Sequence, residues 1–318
     1  MNLTDENKVH VLPATPETVH TGFYDHSLPP VLTIHSRDTV AFETMHLFED
    51  RVEKGLTLKK LGKLRQIYVD QNVGPHTLTG PVYVSEAEAG DVLEIKIEKI
   101  TPRSYGFNVI HPGTGGTLPE EFPEGCIKEF DLDWENRQAT FAPGIVIPLR
   151  PFLGSMGVAP KEPGRSHSGP PMSFGGNIDC KELVEGTILF LPVQVQGALF
   201  SCGDAHAAQG DGEVCLTALE TALTEAKLQF VVRKDINLEY PMFETPTHWG
   251  TMGFNEDLHE AVKIALKGMI KLLVSEKEMD PYEAYSLCSL QADLRVTQVV
   301  DGNKGIHAMM PKSIFKTS

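Results

Sequence analysis

A mainly β protein with an α+β portion is predicted: a β-sandwich or barrel-like core with a helix-containing C-terminal region. Three observations predict it. Val92, Glu94, Lys96 and Glu98 alternate with Leu93, Ile95 and Ile97, the period-two pattern of a half-buried strand. An unbroken apolar run fills residues 187–193, as expected of a segment inside a core. Two capped, amphipathic helical patterns appear only after residue 256. Residues 1–230 are therefore expected to form a mainly β domain carrying the functional site. Residues 231–318 should form a smaller α+β region packed on it.

The elements follow in order. After Pro29-Pro30, residues 31–35 alternate; residues 38–44 then place Val40, Phe42 and Thr44 on one side and Glu43 on the other. Residues 53–73 are basic and poorly periodic, which reads as a solvated face or a loop insertion rather than a binding site. Residues 76–84 read as a strand leading to the Ala89-Gly90-Asp91 turn, with Asp91 serving the turn. Glycine and proline punctuate residues 105–118; without a Gly-Lys-Ser/Thr this is a loop and not a phosphate cradle. Residues 126–150 read as two short strands about a turn at 135–137. Residues 154–176 read as a long irregular loop, a wall or lid for whatever follows, with His167 solvated. Residues 213–230 read as strands, although Leu219, Ala222, Leu223 and Ala226 also suit a helix.

Asp257 with Glu260 three residues on opens a helix whose apolar face is Leu258, Val262, Ala265, Leu266, Met269, Ile270 and Leu273. Asp280-Pro281 opens a second, running to about Leu290. A strand, a turn and a short strand complete residues 293–308.

Composition bounds the function. The chain has 318 residues, 41% hydrophobic and 22% charged, ordinary for a globular protein. A net charge of -15 argues against nucleic acid and anionic membrane surfaces as partners. No apolar run approaches the roughly 20 residues that cross a bilayer, and residues 1–8 lack the apolar segment of a leader. The five cysteines form no CxxC pair and are odd in number, which points to a reducing, cytoplasmic setting.

Chemistry concentrates between residues 175 and 220. Gly175-Gly176-Asn177-Ile178-Asp179 and Gly203-Asp204-Ala205-His206-Ala207-Ala208-Gln209-Gly210-Asp211-Gly212-Glu213 flank the apolar run. Carboxylates and imidazole ligate zinc and similar cations and carry protons in hydrolysis. The plainer reading is an acidic, glycine-rich turn. The words Gly176-Asn177-Ile178-Asp179, residues 200–213 and Thr217-Ala218-Leu219-Glu220 resemble the acetamidase/formamidase family. The resemblance implies hydrolysis of short amides such as formamide or acetamide. It also implies a homodimer or higher homo-oligomer, and an acid near the site at Glu43.

An amide needs a nucleophile, a cradle for the oxyanion and an acid for the departing nitrogen. No Gly-x-Ser-x-Gly is present, and Cys202 and Cys215 lie in apolar runs where thiols are usually inert. A metal-activated water fits better. Asp204 and His206, one residue apart, share a face of an extended segment, and Asp179 completes a three-ligand set. Of Asp211 and Glu213, one reads as a further ligand and the other, Glu213 first, as general base. Asn177 and Gln209 suit binding of the amide group. His76 is a further substrate-binding candidate, although a lone histidine is more often structural. Zinc is the first choice of metal, with calcium, magnesium or manganese open. Another linear C–N hydrolase and a noncatalytic metal-binding β-sandwich are the rivals.

Overall fold

The computed structural model describes residues 7–113 and 115–316. The leader reading of residues 1–8 rests mostly on residues outside this range, as does Thr114 of the glycine-rich segment. Two nine-stranded sheets dominate. The first runs Val9–Leu12, Thr39–Phe42, Leu223–Arg233, Val92–Pro102, Ile188–Pro192, Met242–Glu244, His248–Asn255, Lys304–Pro311, Asp293–Gln298. The second runs Gly175–Asn177, Phe152–Gly157, Phe200–Ala208, Leu219–Thr221, Tyr105–Ile110, Cys126–Asp131. Its Phe200–Ala208 strand also pairs with Thr77–Val84, which in turn holds Val19–Thr21 and Leu32–Ile34.

One core cluster draws on both sheets. Ile95, Leu189 and Leu228 from the first meet Leu78, Val82 and Met156 from the second. Phe42, Phe200 and Phe230 bridge the layers with edge-on rings 5.1–6.2 Å apart. This is the expected sandwich: alternating strands bury one face against the facing layer.

The two C-terminal helices form where their caps lie. The Asp257 carboxylate accepts from the N–H groups of His259 and Glu260 at the head of Leu258–Lys277. Asp280 does the same for Pro281–Gln291. The first buries Ala261, Ala265, Met269 and Leu273 with Ile306, Ala308 and Met310 of the Lys304–Pro311 strand. The expected boundary at residue 230 falls inside the Leu223–Arg233 strand, and the first sheet continues past it through four C-terminal strands. The chain's last part thus contributes strands to the first sheet. No helix among the described residues is long and apolar enough to cross a membrane.

Three loop readings are corrected. Residues 53–73 contain the Leu58–Asp70 helix, capped by Thr57, with Leu61 and Tyr68 buried and the lysines on the outer face. Tyr105–Ile110 and Phe152–Gly157 are strands, so residues 105–118 and 154–176 are only partly loop. Residues 126–150 hold three strands, not two.

Candidate active site

The Phe200–Ala208 strand carries Asp204 and His206 in the middle of the second sheet. Glu220 faces His206 in register across the neighbouring strand. Its Oε2 lies 3.4 Å from His206 Nε2, and Asp204 Oδ1 lies 3.6 Å from the same nitrogen. Asp179 follows the Gly175–Asn177 strand and donates its N–H to the Gly154 carbonyl at 3.0 Å. Its Oδ1 is 3.9 Å from His206 Nδ1.

Glu213 and Asp301 come from two loops stitched together. The Gly212 N–H donates to the Thr297 carbonyl, and the Val299 N–H donates to the Gly212 carbonyl. Among the described residues, three overlapping groups offer ligand atoms within 4.8 Å of one another: Asp179, Asp204 and His206; His206, Glu213 and Glu220; Asp179, Glu213 and Asp301.

Local backbone serves this convergence. Asp179, Asp204 and Glu213 have φ of 50°, 53° and 46°, left-handed conformations that cost a non-glycine residue on the order of 1 kcal/mol or more. Gly154 leaves the room they use. A Cβ there would sit 2.6 Å from Asp179 Oδ1 and 2.7 Å from His206 Cε1.

Crowded acids in a buried site perturb one another. Burial, then the charges of Glu213 and Asp301, holds the Asp179 carboxyl well above its usual range. Burial, then Asp301 and Glu220, does the same for Glu213. Burial pushes Asp301 up to about 7. Asp204 goes the other way: burial raises it, but His76, His206 and the Ser155 hydroxyl outweigh that and bring it to about 2. For His206 burial opposes the charged ring, but Glu220 and Asp204 prevail and raise it.

Both Asp179 oxygens and Asp301 Oδ2 are buried without a hydrogen-bond partner. Unpaired carboxylate oxygens are costly inside a protein unless a cation meets them. Several carboxylates and one imidazole form a donor set that suits a divalent metal.

The cluster forms one end of a cavity of about 330 Å³. The rest is largely apolar, built from Leu61, Tyr68, Val73, Phe107 and Val109, with Arg65 and His111 among them. Two other cavities lie elsewhere on the molecule and include none of the clustered acids.

The acetamidase/formamidase family model matches residues 11–167 and 164–317, nearly the whole chain. The chain belongs to the acetamidase/formamidase family. Its fold is similar to that of an acetamidase from Bacillus halodurans, with a TM-score of 0.85, 31% identity, and coverage of 96% of this chain and 98% of that one. An acetamidase from Yersinia enterocolitica matches with a TM-score of 0.88, 26% identity, and 99% and 95% coverage. The acetamidase of Mycolicibacterium smegmatis is 26% identical over 46% of this chain and 50% of its own length. The chain spans about half the length of the curated relatives it matches.

In this family member the structure brings together Asp179, Asp204, His206 and Glu213. His76 and Asn177 line the same cavity. The hydroxyl of Ser168 pairs with His76 Nδ1 at 2.9 Å, and His76 Nε2 is 3.8 Å from Asp204 Oδ2. Asn177 Oδ1 accepts from Ser155.

Three residues singled out in the sequence lie outside that cavity lining. Gln209 Oε1 meets His206 Nδ1 at 2.9 Å, and its Nε2 donates to the Asp179 carbonyl. It thereby holds His206 with Nε2 toward Asp204 and Glu220. Asp211 points away and pairs with Lys181 at 2.9 Å, outside the cavity wall. Glu43 is exposed, also outside that wall; its backbone carbonyl accepts from Thr79. A strand that buries Phe42 and Thr44 must turn Glu43 the other way.

The sequence does not single out Glu220 and Asp301, which join the cluster in the structure. Glu220 belongs to a recognised family word, yet only strand register sets it opposite His206. Asp301 sits in an Asp-Gly-Asn sequence that reads as an ordinary turn.

Proposed function

We propose that the chain hydrolyses the C–N bond of a primary carboxamide, giving a carboxylate and ammonia, at the acidic end of the cavity. The observation that carries this reading is the convergence of Asp179, Asp204, His206, Glu213, Glu220 and Asp301, with both Asp179 oxygens buried and unpartnered. Asp179, Asp204 and His206 would hold a divalent cation, zinc first, with Glu220 or Asp301 as added ligands. When bound, the cation supplies Lewis acidity and lowers the pKa of a water toward neutrality.

The chain's own groups do the rest. Glu213, facing the same space, accepts the proton of the attacking water and delivers it to the departing nitrogen. The water oxygen forms the new bond to the carbonyl carbon, the C–N bond breaks, and nitrogen leaves as ammonia. His76, held by Ser168, and Asn177, held by Ser155, orient the amide. Gln209 fixes the His206 ring. Burial excludes bulk water from the polar groups and strengthens each contact.

The test is ammonia release from a panel of short amides, before and after chelation and on adding back single metals. Turnover that a chelator abolishes and one metal restores is expected. A protein that binds metal and gains stability but releases no ammonia from any amide is instead a noncatalytic cation site. Activity untouched by exhaustive chelation would remove the metal from the mechanism. We further propose a homodimer or higher assembly acting in a reducing compartment, checked by light scattering of the purified chain.

A further inference from the structure

We infer that the preferred substrate carries a bulky apolar acyl group, several carbons larger than that of acetamide, and that the Leu58–Asp70 helix sets this preference. The inference rests on the amide-hydrolase reading of the same cavity. The cavity's volume of about 330 Å³ is the first observation. It is roughly ten times the ~30 Å³ that one water occupies in the liquid. A formyl or acetyl group at the acids would leave most of it filled by solvent.

The second observation is polarity. Every acid of the site lies at one end. The opposite end is lined by Phe48, Leu61, Tyr68, Val73, Phe107 and Val109, all buried in one hydrophobic cluster, with Arg65 and His111 also in the cavity wall. The Phe48 and Tyr68 rings pack at a tilt with centroids 4.9 Å apart, which fixes that wall. Water against such a wall is poorly hydrogen-bonded, so an apolar group that replaces it gains free energy.

The third is direction. Leu61, Tyr68 and Val69 of one helix meet Asp179, Asp204 and His206 across a single continuous cavity. An amide whose carbonyl sits among the acids and histidines must point its acyl chain toward that helix. The wall is continuous with the chemistry, so its natural occupant is the substrate's own tail.

The experiment measures kcat/KM by ammonia release for formamide, acetamide, butyramide, hexanamide and phenylacetamide, using the metal-loaded chain. Each methylene buried against the wall should raise kcat/KM about fourfold, the ratio that corresponds to transfer of one CH2 from water. Hexanamide should therefore exceed acetamide by on the order of 100-fold. A second arm uses Val69→Trp at the exposed rim of the cavity, where a larger ring projects into the opening without disturbing the core. The ratio of hexanamide to acetamide should fall at least tenfold in that variant.

Equal or declining kcat/KM from acetamide upward overturns the inference and leaves amide hydrolysis standing. Ammonia from none of the amides, with metal bound, overturns both. A steep rise with chain length that Val69→Trp leaves untouched removes the helix from its role.

Discussion

The two ends of the cavity are built on opposite principles. The acidic end gathers five carboxylates and a histidine from strands and loops, with three acids in left-handed backbone and unpartnered oxygens in the interior. The apolar end joins a helix capped by Thr57, packed through Leu61 and Tyr68, to Phe48, Val73, Phe107 and Val109. Burial of Leu61 stabilises the fold; burial of Asp179, with both carboxylate oxygens unpartnered, opposes it. The lesson is that the fold tolerates the proposed working groups at a cost, and draws its stability from groups beside them.

The sharpest way to break this contrast is Glu213→Gln, which keeps the shape and removes the proposed base. Turnover should fall by about 10²–10⁴, the usual range for losing a positioned acid–base group. Denaturant stability of the metal-free protein should hold or rise, because a buried acid among Asp301 and Glu220 is replaced by a neutral amide. Cation affinity, read by titration calorimetry, should fall little if Glu213 is a base and steeply if it is a ligand. Full turnover in this variant would remove the base assignment.

The opposite outcome is expected at the other end. Leu61 is 2% exposed. Leu61→Ala should cost about 2–4 kcal/mol of stability, the range for a truncated core leucine. Urea denaturation measures it. Cation affinity should stay near that of the unaltered chain while the variant is folded, since Leu61 touches none of the ligands' hydrogen bonds. A metal-binding defect as large as the stability loss would mean the two ends are one mechanical unit.

The same contrast explains what could be read from the chain. Asp204 and His206 were legible because positions two apart on one strand stay together. The C-terminal helices were legible because each carries its own cap and stripe. Glu220 was not assigned a role, since its partner across the register lies fourteen residues back and no local pattern encodes that pairing. Asp301 was hidden by chemistry it shares with every Asp-Gly turn. The Phe152–Gly157 strand was hidden by Gly154 and Gly157, residues that read as loop but are there because Asp179, His206 and Gly176 come too close for a side chain. The Leu58–Asp70 helix was masked by its lysines, although Leu58, Leu61, Leu64 and Tyr68 already had helical spacing.

The smallest effect tests how finely the boundary of the acidic end is drawn. Asp211 and Glu213 are separated by one residue, which on a regular strand would put both in the site. The chain is not extended there: Glu213 lies at φ 46° in a loop bound to Gly210 and Leu216 through its backbone. That turn sends Glu213 inward and Asp211 out to Lys181. An ion pair near the surface contributes about 0–1 kcal/mol. Asp211→Asn should therefore lower stability by no more than about 1 kcal/mol and leave turnover and cation affinity as they are. A loss of turnover approaching that of Glu213→Gln would place Asp211 back among the working acids. It would also mean that the loop between Gly210 and Leu216 turns inward when substrate or cation is bound.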